Sequence, residues 1–494
     1  MVHKGSHPSG QALTAGVGYS PHMSLRAGTA PSLRSPTLAL VAVMVALGAA
    51  CSTRGNEVVF DGNPSAETTT VAAAEAGTEP AATSLPAGTA AGEAPTTLTV
   101  GSSETTTTTI TTTAIATAPA ALELSDRGIE ALTAPVLVDG RFGEGVTVLG
   151  PGAERNDLYV ETADGYLAQP IWSPDGRLVA FSRASSTGNW IVVGPGTGGA
   201  LLAYETPFAA FYIHWSPDGR LVAMLGAADA QVALAILDLD TGIVEMLDFA
   251  ASYYFHWSPD SSRVLTHLDS SRLQILDPSS GEIAQIAAFD FVWSGYQTPS
   301  WMPDGRSILY VRPAGNQSEE PPDELVIHDL ASGQIDVIAT GAGFFAFAVS
   351  PDGRQVAYSL HNLARPTSMY LVEPSSGEVT ELDAPNTVAW QWSPDSHKIL
   401  LLGVNEGSRL TMDVYQDGTI TAYPDITPSE NFLRSYIPFW NQYGRSHTLW
   451  APDSSAFVYA AADRGNDYIF LQLLEEERPV LLGAGSMAVF SPRT

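Results

Sequence analysis

From about residue 126 the chain alternates short apolar runs with turn residues, and the alternation recurs. "IWSPDGRLVAFS" (171–182) is followed by "HWSPDGRLVAML" (214–225), "HWSPDSSRVLTH" (256–267) and "SWMPDGRSILYV" (300–311). Then come "AVSPDGRQVAYS" (348–359), "QWSPDSHKILLL" (391–402) and "LWAPDSSAFVYA" (449–460), and "VFSPRT" ends the chain. The motif prolines stand at 174, 217, 259, 303, 351, 394, 452 and 492, so most steps are 40 to 48 residues and one is 58.

Each repeat carries its own turn chemistry. S-P-D-G is a type I turn, with Pro presetting φ at the second position and Gly closing the fourth. It joins a strand carrying Trp to an apolar strand such as "LVAFS". A second hairpin follows in "LAILDLDTGIVEML", "LQILDPSSGEIAQI", "LVIHDLASGQIDVI" and "MYLVEPSSGEVTEL", each with Gly at the end of a short loop. That makes four strands per repeat, here a to d, and a period of 40–45 residues is that of a propeller blade. The fold expected is therefore all-β, a β-propeller of four-stranded blades. Seven repeats are complete, and "SMAVFSPRT" supplies an eighth a-type strand. The segment before the first motif, "GIEALTAPVLVDG" to "DLYVETADG", can supply the remaining strands of that blade. Eight blades closed by N- and C-terminal strands is the reading preferred over seven, because closure removes exposed sheet edges.

W-S-P-D-G followed by an apolar strand resembles the repeat of TolB-type, WD40-like propellers, over residues 126–494. The resemblance implies the fold. It implies little about activity, since such propellers serve as periplasmic scaffolds, peptidase-associated domains and a few lyases.

The segment upstream differs. "TLALVAVMVALGAAC" is an uncharged run ending at Cys51, the only cysteine, and is preceded by Arg26 and Arg34. That order is a secretory signal, over residues 1–50, with Met23 as an alternative start. The segment resembles a bacterial lipoprotein signal, which implies lipidation at Cys51. Gly48 departs from that pattern, with Leu47 one position further back, so ordinary cleavage after Ala50 stays open. Residues 51–125, rich in Thr, Ala, Glu, Gly and Pro, hold few large apolar groups and are expected to form a disordered tether. The expected location is extracytoplasmic, tethered to the membrane by lipid, or else secreted.

Charge narrows the partners. With 23 Lys+Arg against 53 Asp+Glu, net −30, the surface repels phosphate backbones and nucleic acid is excluded as a ligand. A lone cysteine excludes an intrachain disulfide. No G-x-S-x-G elbow, P-loop or dinucleotide fingerprint opens a helix after a strand. "GPGTGG" (194–199) falls at a c–d hairpin, and "DLDTG" (238–242) reads as a turn.

Strand parity puts the S-P-D-G turns and c–d hairpins on one face, and the b–c and d–a connections on the other. The d–a connections hold 20 aromatics in 71 residues. The short ones are expected to pack between blades, as are the motif tryptophans. The longest, "DITPSENFLRSYIPFWNQYGRSHT", presents Phe432, Tyr436, Phe439, Trp440 and Tyr443 with Arg434 and Arg445. These seven residues are the expected binding site for a protein or carbohydrate at the cell envelope, with a cap over the channel as the alternative. Before the motif Trp stand His214, His256 and Gln391, candidates for a divalent metal although no H-E-x-x-H or carboxylate cluster accompanies them. The function expected is a binding or scaffold module with no cofactor. The rival is a metal-dependent polysaccharide lyase or hydrolase at the channel.

Overall fold

The computed structural model describes residues 123–493 apart from 141–144, 162–164, 270, 289–297, 315–322, 342–343 and 362–367. The signal segment, Cys51 and almost all of the tether lie outside the described residues, as do Phe289, Phe291, Trp293 and Tyr296.

The S-P-D-G turn forms as its chemistry requires. In the first repeat the Ser173 hydroxyl donates to Asp175 Oδ1 (2.6 Å) and accepts the Leu178 N–H (2.9 Å). Asp175 also accepts the Arg177 N–H (3.1 Å), and Gly176 takes φ +69°. Where the fourth residue is Ser the backbone still turns left-handed, at Ser261 (φ +64°), Ser396 (+65°) and Ser454 (+59°). Each of these serines then gains a bond that glycine lacks. Its Oγ accepts the N–H of the motif Asp one blade earlier: Asp218 (2.9 Å), Asp352 (3.1 Å) and Asp395 (3.2 Å) respectively.

These turns link strands a and b in seven of eight antiparallel blades. Blade 1 runs from Tyr166–Trp172 to Leu202–Thr206, blade 2 from Ala210–Trp215 to Ile243–Ala250 and blade 3 from Tyr253–Trp257 to Ile283–Ala288. Blade 4 runs from Ser300–Trp301 to Ile335–Gly341, blade 5 from Phe344–Val349 to Glu378–Leu382 and blade 6 from Thr387–Trp392 to Thr419–Ala422. Blade 7 comprises Ala456–Asp463, Asn466–Leu473 and Val480–Ala484, with Trp450 bridged to Phe457 in place of strand a. Blade 8 joins the two ends of the propeller. Its strand a, Met487–Phe490, pairs antiparallel with Val136–Asp139, followed outward by Gly145–Leu149 and Arg155–Val160. The register runs from Val136↔Phe490 to Asp139↔Met487, so the ring is an eight-bladed propeller.

The motif tryptophans fill the seams between blades. In three of them the indole N–H donates to the carbonyl of the residue that precedes the equivalent motif position one blade back: Trp257 to His214 (3.4 Å), Trp392 to Ala348 (3.2 Å) and Trp450 to Gln391 (3.0 Å). The indole N–H groups of Trp172, Trp215 and Trp301 are buried without a hydrogen-bond partner among the described residues. Gly196, inside "GPGTGG", allows the c–d hairpin to lie on Trp172, since a Cβ there would stand 2.3 Å from the ring. "DLDTG" is a turn: Asp238 Oδ1 accepts the N–H of Asp240 and Thr241, and Gly242 takes φ +71°.

Candidate functional site: a plugged channel

The long connector between blades 6 and 7 folds into the ring. Ser429 starts it, its Oγ accepting the Phe432 N–H (3.1 Å) and donating to the Ser486 carbonyl (2.6 Å). One π turn (Phe432–Tyr436), one 3-10 turn (Ile437–Phe439) and a short α-helix (Trp440–Tyr443) follow. Pro438 explains the irregularity: it has no N–H to donate and its ring crowds the carbonyl four residues back, so a regular α-helix cannot run through it.

Spokes tie this plug to strands a and their approaches around the ring. Tyr443 OH donates to the Phe211 carbonyl (2.7 Å), and Tyr212 OH donates to the Gln442 carbonyl (3.0 Å), both on blade 2. The Phe255 N–H of blade 3 reaches Gln442 Oε1 (3.4 Å). Before blade 4, Arg445 donates to the Pro299 carbonyl (2.8 Å) and the Thr298 carbonyl (3.4 Å). Blade 6 offers Gln391, which donates to the Gly444 carbonyl (2.8 Å), and Trp390, whose ring lies 4.0 Å from that of Trp440. On blade 7 Pro428 bridges Ala461, and at blade 8 Asn431 donates to Ser486 Oγ (3.3 Å) and Asp139 Oδ2 (3.4 Å).

This geometry corrects the expectation of an open aromatic face. Phe432, Tyr436, Trp440 and Tyr443 are buried and Phe439 is half-buried; their rings are spent on one another and on the ring wall. Arg445 points inward to main-chain carbonyls. Of the seven residues only Arg434 is exposed, paired with Glu430 (3.1 Å). The short connectors pack inward as well, with Phe208, Tyr212, Tyr253, Phe255, Phe345 and Phe347 buried, although Phe249 is 51% exposed.

The metal candidates are corrected too. His214 and His256 do lie close together, but of the three candidates only His214 has a buried ring nitrogen, Nδ1, left without a partner among the described residues, while His256 Nδ1 and Gln391 are committed elsewhere. Gln391 Oε1 accepts the Leu449 N–H (2.8 Å) while its amide serves Gly444 and His447. His256 Nδ1 accepts the Trp301 N–H (2.9 Å). What gathers instead is a basic cluster of His214, His256 and His447 around Arg445, in which sequence spacing gave no place to His447. Burial first, then the Arg445 charge, holds the His214 imidazole down at about 3. Burial and the same charge hold His256 well below its ordinary value. Burial and His214 bring His447 to about 3. Burial also lowers Arg445, to about 10. A guanidinium beside neutral imidazoles repels a second cation.

The sequence also did not reveal a cleft of about 260 Å³ at the outer seam of blades 7 and 8. Val138, Leu149, Ile469 and Leu482 form apolar walls, and Thr147, Arg155 and Asp157 the polar part. Asp157 accepts from Thr147 (2.8 Å) and pairs with Arg155 (3.1 Å), and both charged residues are exposed. The walls come from segments more than 300 positions apart, so no local motif marks them.

The chain matches no family model, and it matches no curated protein. Among solved structures it is similar to TolB from Acinetobacter baumannii, at 16% identity over 51% of this chain and 64% of that one, TM-score 0.33. The β-propeller domain of the Trilobed protease from Pyrococcus furiosus aligns at 16% identity over 65% and 98%, TM-score 0.43. An oligogalacturonate lyase in complex with manganese aligns at 13% identity over 68% and 95%, TM-score 0.45. The class the fold defines is an eight-bladed β-propeller.

Proposed function

We propose that the protein is a non-catalytic binding module, held outside the cytoplasm by its N-terminal segment, for a glycan or protein of the cell envelope. One observation carries this reading: the protein's own connector fills the channel, hydrogen-bonded to strands around the ring, where the rival reading needs an open site. A rigid disc without an axial site still offers concave seams. The cleft between blades 7 and 8 has the mix of apolar wall and few polar groups that small ligands use, and its volume is slightly below their usual range. Arg155 and Asp157 supply a donor and an acceptor side by side. Among the described residues no helix is long and apolar enough to cross a membrane, so attachment in this reading rests on the segment ending at Cys51.

A glycan array probed with wild type and with an Arg155→Ala, Asp157→Ala double variant tests the proposal. Saturable binding lost in the variant at unchanged thermal stability supports it. Depolymerisation of a polysaccharide by the wild type, or binding indifferent to the two substitutions, contradicts it.

A further inference from the structure

A small cavity lies where plug, blade 1 and closing blade 8 meet, lined by Asp139, Gln169, Asn431, Ser435, Tyr443 and His447 among others. Its volume is about 10 Å³, the size of a single water-sized occupant. Two buried oxygens on its lining have no hydrogen-bond partner, Asp139 Oδ1 and Gln169 Oε1. Asp139 is only 4% exposed.

The orientation of Gln169 is set by its surroundings. Tyr443 commits its proton to the Phe211 carbonyl, so the Gln169 amide must donate to the Tyr443 oxygen. Its Oε1 is thereby turned away without a donor. The backbone supports this pose at a cost. Gln169 sits at φ +59° in an irregularity of the strand pairing between Ala168 and Ile171, a left-handed conformation that is unfavourable for a non-glycine residue. Strain of that kind is kept where surrounding structure holds it for a purpose.

The cavity therefore presents an amide oxygen and an oxygen of a carboxyl group that burial pushes up to about 8, with no positive group to meet them. Among the described residues Asp139 makes no ion pair, and its one hydrogen bond, from Asn431 to Oδ2, is long at 3.4 Å. His447 lines the same space but is held neutral by burial. We propose that this cavity is a monovalent-cation site, Asp139 and Gln169 supplying two of its oxygen ligands, and that the bound ion locks the plug to the closing blade. One carboxylate and a water-sized space suit a singly charged ion; calcium takes six to eight oxygens, usually from several carboxylates.

The test uses the whole chain. Crystals grown in rubidium chloride should show an anomalous peak between Asp139 Oδ1 and Gln169 Oε1. In solution above pH 8, where the Asp139 carboxyl is ionised, sodium or potassium chloride should raise the melting temperature saturably, by roughly 2 °C at tenfold excess over the dissociation constant, relative to choline chloride at equal ionic strength. Asp139→Asn should abolish that rise. No anomalous peak, with equal melting in sodium, potassium and choline, would make the occupant a water and overturn the proposal. A response to calcium alone would overturn it as well. The anomalous experiment needs only wild type, so it decides the matter even where Asp139→Asn fails to fold.

Discussion

The phenol of Tyr212 on blade 2 donates to the main-chain carbonyl of Gln442, 230 positions away in sequence, at 3.0 Å. The same Gln442 uses its side-chain oxygen for the Phe255 N–H of blade 3. A single plug residue thus joins two neighbouring blades from the axis. The aromatic residues of the connector act as core here, so their substitution should be read in stability.

Trp440→Ala removes a buried indole lying 4.0 Å from the Trp390 ring and should destabilise the propeller by about 3–5 kcal/mol. Tyr443→Phe leaves the Phe211 carbonyl without its donor and should cost about 1–2 kcal/mol. Urea denaturation followed by tryptophan fluorescence measures both. Full stability in Trp440→Ala would mean that the connector is not part of the core.

The serine variants of the turn give a second prediction. Ser261 holds φ +64° and accepts the Asp218 N–H from the previous blade. Ser261→Ala keeps the strain and loses the bond; Ser261→Gly loses the bond and relieves the strain. The alanine variant should therefore be the less stable of the two, by about 1 kcal/mol. Equal stabilities in chemical denaturation would show that the backbone does not hold the left-handed turn in solution.

Buried imidazoles make stability depend on pH. For His214 and His447 the folded-state value is near 3, below an unfolded value of about 6.5, so the unfolded chain binds more protons between them. Their contribution is fully present above pH 6.5 and is lost as pH falls towards 3. Each group adds a slope of up to about 1.4 kcal/mol per pH unit in that window. His447→Gln should flatten the fall in unfolding free energy between pH 6.5 and 4.5 relative to wild type. An unchanged slope would place His447 in contact with solvent.

Removal of residues 487–494 should open the ring. Strand a of blade 8 is then lost, and Val136–Asp139 becomes a bare, buried-type edge. Size-exclusion chromatography with light scattering should show association of the truncated chain, since such edges pair with one another. A truncated monomer as stable as wild type would argue against closure by the C-terminal strand.

The ring was legible because its information is local. Pro174, Asp175 and Gly176 specify a turn by themselves, and their recurrence counts the blades. Closure by Met487–Phe490 was legible for the same reason, as a lone a-type strand without its three companions. The plug was legible only as the alternative of a cap over the channel, because the partners of Tyr443 and Arg445 lie more than 140 positions earlier, and aromatic residues read alike as surface or core. The chemistry of His214 and His256 is set by Arg445 and His447, which the connector brings in. Asp139 is the last residue of the strand Val136–Asp139 and carries no motif of its own. Only the closed ring shows it buried at the seam.

Hydrogen exchange across residues 431–447 tests the central claim most directly. The amide groups of Phe432, Leu433, Gly444 and His447 are hydrogen-bonded inside the channel, and their peptides should exchange as slowly as the strand Thr387–Trp392. Complete exchange within seconds, while that strand stays protected, would show an open connector and return its aromatic residues to the surface.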